Sequence, residues 1–144
     1  MGSKLSNPMQ SLLRSRWLYH LATAALTYIF WWSGLSKLLD FAGAQAEMQH
    51  FGLNPPALFA LATIAVQLIG SAFIITGSRW AWLGAGALAV FTLSTIPLAH
   101  RFWEMEGMVG VLEKALVQDH ISVIGGLMMT AILAEWRRNY TPHE

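Results

Sequence analysis

The chain contains no cysteine and few charged residues, and both scarcities narrow what it can be. Without cysteine, disulfide bonds, thiol redox relays and cysteine-ligated iron–sulfur or zinc sites are excluded within this chain. Charged residues occupy 12% of its 144 positions, about half of the ~25% that is usual in a soluble domain. The formal net charge of +1 leaves no basic footprint for nucleic acid.

Apolar residues are correspondingly abundant. They make up 55% of the chain, more than a domain of this size can bury in its own core. They form four runs, each close to the ~20 residues that a helix needs to cross a bilayer. The runs cover approximately residues 17–35, 57–76, 80–99 and 116–134. The sequence therefore predicts an all-α integral membrane protein, a four-helix up-down-up-down bundle with one membrane domain over residues 17–136.

The first run is expected to be a retained span, because it exceeds the ~7–15 apolar residues of a signal-peptide core. Four spans put both termini, residues 1–16 and 137–144, on one side of the membrane. That side has six Lys or Arg residues and the other side has three. Basic residues favour the cytoplasmic side, so both termini are predicted to be cytoplasmic.

The two outer loops carry apolar residues among polar ones. In the first loop Phe41, Ala44, Met48 and Phe51 recur at helical spacing, which predicts a short amphipathic helix. The second loop, residues 100–115, is rich in Phe, Trp and Met and is also expected to lie in the membrane interface.

Gln67 is the strongest polar candidate within a span. Thr63, Gln67, Gly70 and Ser71 share one helical face by their spacing. Polar residues in a span face the interior of the bundle. Gln67 could serve only as an interhelical hydrogen-bonding residue, or it could bind a polar group of a ligand.

A second group of candidates gathers at the outer end of the predicted bundle. The spans that end or begin there carry Ser33, Lys37, Asp40, His100, Trp103, Asp119 and His120. Taken one at a time, these residues can be explained by their position at the membrane edge, through lysine snorkelling or helix capping. Their convergence on one rim also predicts a polar mouth for an amphiphilic ligand. The Lys37 ammonium is expected to pair with Asp40 or Asp119.

His100 and His120 are the only histidines placed to be paired metal or haem ligands from neighbouring spans. No pair of histidines has the spacing of a metal-binding helix. No metal site and no intrinsic cofactor are therefore predicted.

Several segments together resemble the DoxX family of small bacterial membrane proteins. They are Ser-Gly-Leu-Ser-Lys-Leu-Leu-Asp-Phe at 33–41, Phe-Gly-Leu-Asn-Pro-Pro at 51–56, Gln-Leu-Ile-Gly at 67–70, Thr-Gly-Ser-Arg at 76–79, His-Arg-Phe-Trp at 100–103 and Asp-His-Ile-Ser-Val-Ile-Gly-Gly at 119–126. Many relatives carry Glu in place of Gln67. The resemblance implies a four-helix protein of the bacterial inner membrane.

The resemblance also implies a function, since some relatives are associated with membrane oxidoreductase assemblies. It favours a non-catalytic or quinone-linked subunit of a redox assembly, with a redox partner protein and with quinone or lipid as ligand. Enzymatic activity of the chain itself is left open. The alternatives are a binding or transport protein for a small amphiphile and a purely structural, homo-oligomerising scaffold.

Overall fold

The computed structural model describes residues 8–140, excluding the side chain of Tyr140. Within that range the chain forms helices and short connections, with no strand, which confirms the predicted all-α class. The elements are α1 (Pro8–Arg14), α2 (Arg16–Leu26), α3 (Tyr28–Leu39), α4 (Phe41–His50), α5 (Pro56–Ile75), α6 (Ala81–Ala99), a 3-10 helix (Phe102–Glu104) and α7 (Gly107–Tyr140). Residues 1–7 and 141–144 of the predicted cytoplasmic segments lie outside the described residues.

The first apolar run forms two helices that meet at Thr27, so the prediction of one continuous helix is wrong. Thr27 is fully buried, and its hydroxyl donates to the Thr23 carbonyl at 2.7 Å. Back-bonding of this kind favours bending of a helix. The indole N–H of Trp31 donates to the Ala24 carbonyl at 3.0 Å, and so satisfies an acceptor at the break.

Three helices of the described chain are long and apolar enough to cross a membrane: Pro56–Ile75, Ala81–Glu104 and Gly107–Asn139. The first two agree closely with the predicted second and third spans. The last begins well before residue 116, so residues 107–115 of the second outer loop form the first turns of α7. No proline interrupts residues 107–115, so the helix continues beyond the apolar run.

α5 and α6 form a closely packed hairpin. Gly77 has φ +64° in the connecting turn, a conformation that glycine adopts without steric cost. A Cβ on Gly84 would lie 2.6 Å from the Gly70 carbonyl oxygen, so this crossing depends on glycine. Around it, Ile74, Leu88 and Leu127 are fully buried and join α5, α6 and α7 in the main core.

The broken α2–α3 unit and α4 complete the bundle. The Tyr19 hydroxyl donates to the Ile74 carbonyl at 3.1 Å and ties α2 to the end of α5. α4 confirms the helix predicted in the first outer loop. Its buried Ala44 and Met48 pack against Ala60 of α5, so its apolar face covers the protein.

The outer surfaces of the long helices are apolar. Leu61 on α5, Val90 on α6 and Met129 on α7 are each more than half exposed. Contiguous apolar exposure on this scale marks a surface that meets a membrane or another protein.

Candidate functional site

A cavity of about 590 Å³ lies among α3, α5, α6 and α7 and is bordered by α4. Its volume is within the ~300–1,000 Å³ of small-molecule sites. Most of its wall is apolar, with aromatic side chains such as Phe30, Phe59 and Phe91. Five of the predicted site residues line it: Ser33, Lys37, Gln67, His100 and His120.

One polar chain runs along the cavity from its interior towards the rim. Ser33 and Lys37 are one turn apart on α3, and Gln67 faces them from α5. The Ser33 hydroxyl oxygen accepts hydrogen bonds from Gln67 Nε2 and from Lys37 Nζ, each at 3.3 Å. This contact confirms that Gln67 forms an interhelical hydrogen bond.

The hydrogen bond to Ser33 leaves half of the Gln67 amide without a partner. Gln67 is 4% exposed, and its Oε1 is buried with no hydrogen-bond partner among the described residues. Exchanging the amide oxygen and nitrogen would leave the nitrogen unsatisfied instead. An unpaired buried polar atom costs about 1–3 kcal/mol, and a ligand in the cavity could remove that cost.

Lys37 forms its ion pair with Glu47 of α4, with Nζ and Oε2 2.8 Å apart. This corrects the expected pairing of Lys37 with Asp40 or Asp119. Asp40 instead caps α4, because its Oδ1 accepts a hydrogen bond from the Gly43 amide at 2.9 Å. The cap fixes the turn after α3 and so brings Glu47 back over Lys37.

His100 and His120 meet at the same rim. His100 Nδ1 lies 2.7 Å from Glu113 Oε2 on α7, and a ring nitrogen donates to a carboxylate in such a contact. His120 Nδ1 donates to the Leu116 carbonyl at 2.7 Å. The two imidazole rings pack edge to face with centroids 4.7 Å apart. The rim therefore has a second side-chain pair, His100 with Glu113, besides that of Lys37 and Glu47.

Two predicted site residues lie elsewhere. Asp119 is exposed and is not part of the cavity wall, because consecutive residues of a helix point about 100° apart. Trp103 lies in the 3-10 helix, 55% exposed, and packs on Phe102.

Sequence reasoning did not identify three residues of the site: Glu47, Glu113 and the buried Thr92. Glu47 and Glu113 are the charged partners of Lys37 and His100. The pairing joins residues 10 and 13 positions apart on different helices, a separation that no helical spacing rule connects. Thr92, in contrast, lies on α6 with Thr95 one turn further. That spacing is a signal that could have placed Thr92 on the cavity face.

The titratable side chains at the rim are not arranged as a metal site. Within residues 8–140 no group of three or more His, Asp or Glu side chains could hold a metal ion.

The fold and the cavity together define an all-helical membrane protein with a mainly apolar, partly open site beside a charged rim. The family comparison agrees with this class. The DoxX family model matches residues 20–101, more than half of the chain, and the chain belongs to the DoxX family.

One curated relative extends the similarity beyond the family match. It is the "Inner membrane protein YphA" of Escherichia coli (strain K12), 25% identical over 112 residues. The alignment covers 78% of this chain and 79% of that protein. No solved structure matches the chain.

Proposed function

We propose that this protein binds a small amphiphilic molecule in the cavity between α3, α5, α6 and α7. The observation that carries the proposal is the Gln67 amide, buried and half unpaired in a largely apolar cavity. Phe30, Phe59 and Phe91 offer an apolar surface to the body of the ligand. Gln67 and Ser33 offer hydrogen bonds in the interior, and the Lys37–Glu47 and His100–Glu113 pairs offer charges at the rim.

The proposal includes a membrane arrangement. α2 and α3 together form one broken span, and α5, α6 and α7 form three more, which gives an up-down-up-down bundle in the bacterial inner membrane. The inner-membrane relative supports this location. Six basic residues on the side of the termini against three on the other side support cytoplasmic termini.

A membrane subunit of a redox assembly, with quinone as ligand, is the second candidate function. The family resemblance is its support. A quinone is an amphiphile whose carbonyl oxygens accept hydrogen bonds from the Lys37 ammonium and, with the Gln67 amide oxygen and nitrogen exchanged, from its N–H groups. The ligand experiment therefore includes a quinone.

The experiment places the full chain in nanodiscs and titrates it with decylubiquinone and, separately, with monodecanoylglycerol. Binding is measured as an increase in the midpoint temperature of thermal unfolding. A ligand at 100 times its Kd stabilises the folded state by about 2.7 kcal/mol. We expect at least one probe to raise the midpoint.

A matched pair of variants locates the binding. Ala62 lines the cavity and Ala65 does not, although both are exposed residues of α5. Ala62→Trp should abolish the stabilisation, and Ala65→Trp should retain it. If neither probe shifts the midpoint, or if both variants respond as the wild type does, the proposal is wrong and the scaffold alternative is favoured.

A further inference from the structure

A second cavity, of about 290 Å³, lies at the opposite end of the bundle. The start of α2 and the ends of α5 and α7 meet there. Its wall includes Arg16, His20, Arg137 and Arg138, together with Tyr19 and Ala134. Among the described residues no acidic side chain lines this cavity, whereas Glu47 lines the cavity at the other end of the bundle.

The neighbouring contacts orient these basic side chains. The Arg137 guanidinium lies over the Tyr19 ring, 4.9 Å from its centroid. His20 Nδ1 donates to the Ile75 carbonyl at the end of α5. Arg138 donates through one terminal nitrogen to Glu135. A guanidinium has five N–H donors, so this pair leaves Arg138 donors for a further anion.

The surroundings of the cavity are those of a membrane boundary. Trp17 and Trp136 adjoin Arg16 and Arg137 in sequence and are 59% and 64% exposed. Tryptophan concentrates where headgroups meet hydrocarbon. Leu21 and Leu133, next along α2 and α7, are also exposed and continue the apolar helix surface away from the cavity.

We propose that this basic cavity binds the phosphate of an anionic phospholipid, with the acyl chains lying along α2 and α7. Arginine suits this role because its planar fork of donors matches phosphate oxygens. Basic pockets between spanning helices are a recognised form of lipid headgroup site. The site is separate from the amphiphile cavity and does not depend on the ligand bound there.

The test uses native mass spectrometry of the full chain in a neutral detergent. Phosphatidylglycerol and phosphatidylcholine with identical acyl chains are titrated separately. We expect phosphatidylglycerol to bind more tightly. The double variant Arg16→Gln/Arg138→Gln should weaken its binding by about fivefold for each arginine removed. The double variant Arg14→Gln/Arg79→Gln, which loses the same charge outside the cavity, should keep wild-type affinity.

Two further measurements distinguish the alternatives. Ala134→Trp fills the cavity without changing its charge and should also weaken phosphatidylglycerol binding, which gives a second test if the double variant does not fold. Inorganic phosphate in excess should not displace the lipid. Equal affinity for the two lipids, equal losses in the two double variants, or displacement by inorganic phosphate would each overturn the proposal.

Discussion

Lys37 at the end of α3 pairs with Glu47 of α4 at 2.8 Å, although Asp40 is much closer in sequence. Asp40 is engaged by the Gly43 amide, and its cap turns the chain so that α4 packs on α5. The Lys37 side chain is 16% exposed and that of Glu47 is 43% exposed. The pair therefore joins a mostly buried cation to a carboxylate at the cavity rim.

A double-mutant cycle with Lys37→Met and Glu47→Gln should show coupling between these two residues. We expect a coupling free energy of about 1 kcal/mol, at the upper end for a partly exposed pair. The free energy of unfolding in detergent provides the measurement. The cycle of Lys37→Met with Asp40→Asn is the control, and its coupling free energy should be zero within experimental error. Comparable coupling in both cycles would mean that Lys37 alternates between the two carboxylates.

Substitution of Gly84 tests the close crossing of α5 and α6. Gly84→Ala places a Cβ 2.6 Å from a backbone oxygen, and the helices must separate to accept it. We expect a loss of stability of about 1–3 kcal/mol. Gly86→Ala, on the same helix with no heavy atom within 4 Å of the added Cβ, should be neutral or stabilising by up to ~1 kcal/mol. Equal effects of the two substitutions in thermal unfolding would contradict the packing described here.

Gln67→Leu separates the structural role of this amide from its proposed binding role. The substitution removes the hydrogen bond to Ser33 and also the unpaired oxygen, so stability should change by no more than about 1 kcal/mol. Binding of the probe that stabilises the wild type should weaken by about fivefold or more, as expected for one hydrogen bond in an apolar site. Ser33→Ala, which leaves the cavity amide in place, is the comparison variant. Unchanged probe binding by Gln67→Leu would assign Gln67 to packing alone.

The absence of cysteine allows a direct test of the proposed orientation. Single variants Arg79→Cys and Glu106→Cys place one thiol in each of the turns that flank α6. With cytoplasmic termini, a membrane-impermeant maleimide should label Glu106→Cys in intact cells, and should label Arg79→Cys only after permeabilisation. The reverse pattern would invert the topology, and labelling of both thiols in intact cells would argue against a spanning α6.

Local sequence patterns were sufficient to predict the helices that form because of a local run of apolar residues. α5 and α6 lie within one or two residues of the predicted runs, because Pro56 begins the first of these runs and the turn at Gly77 separates the two. The same reasoning placed one continuous helix at residues 17–35, since hydropathy does not register the side-chain hydrogen bonds of Thr23 and Thr27 that favour the break.

The features of the site also fall into those that the sequence could predict and those that only the tertiary structure decided. From the sequence alone, Ser33, Lys37, His100 and His120 were expected to gather, because topology places the outer ends of the spans together, and Gln67 was expected in the interior of the bundle. Tertiary structure alone decided that Lys37 pairs with Glu47, that Asp119 lies outside the cavity wall, and that Ser33 links Gln67 to Lys37. Composition determines that helices form and that they favour a membrane, since both depend on the apolar area of short segments. Which side chains meet depends on helix breaks, caps and crossings, and these set distances between residues far apart in the chain.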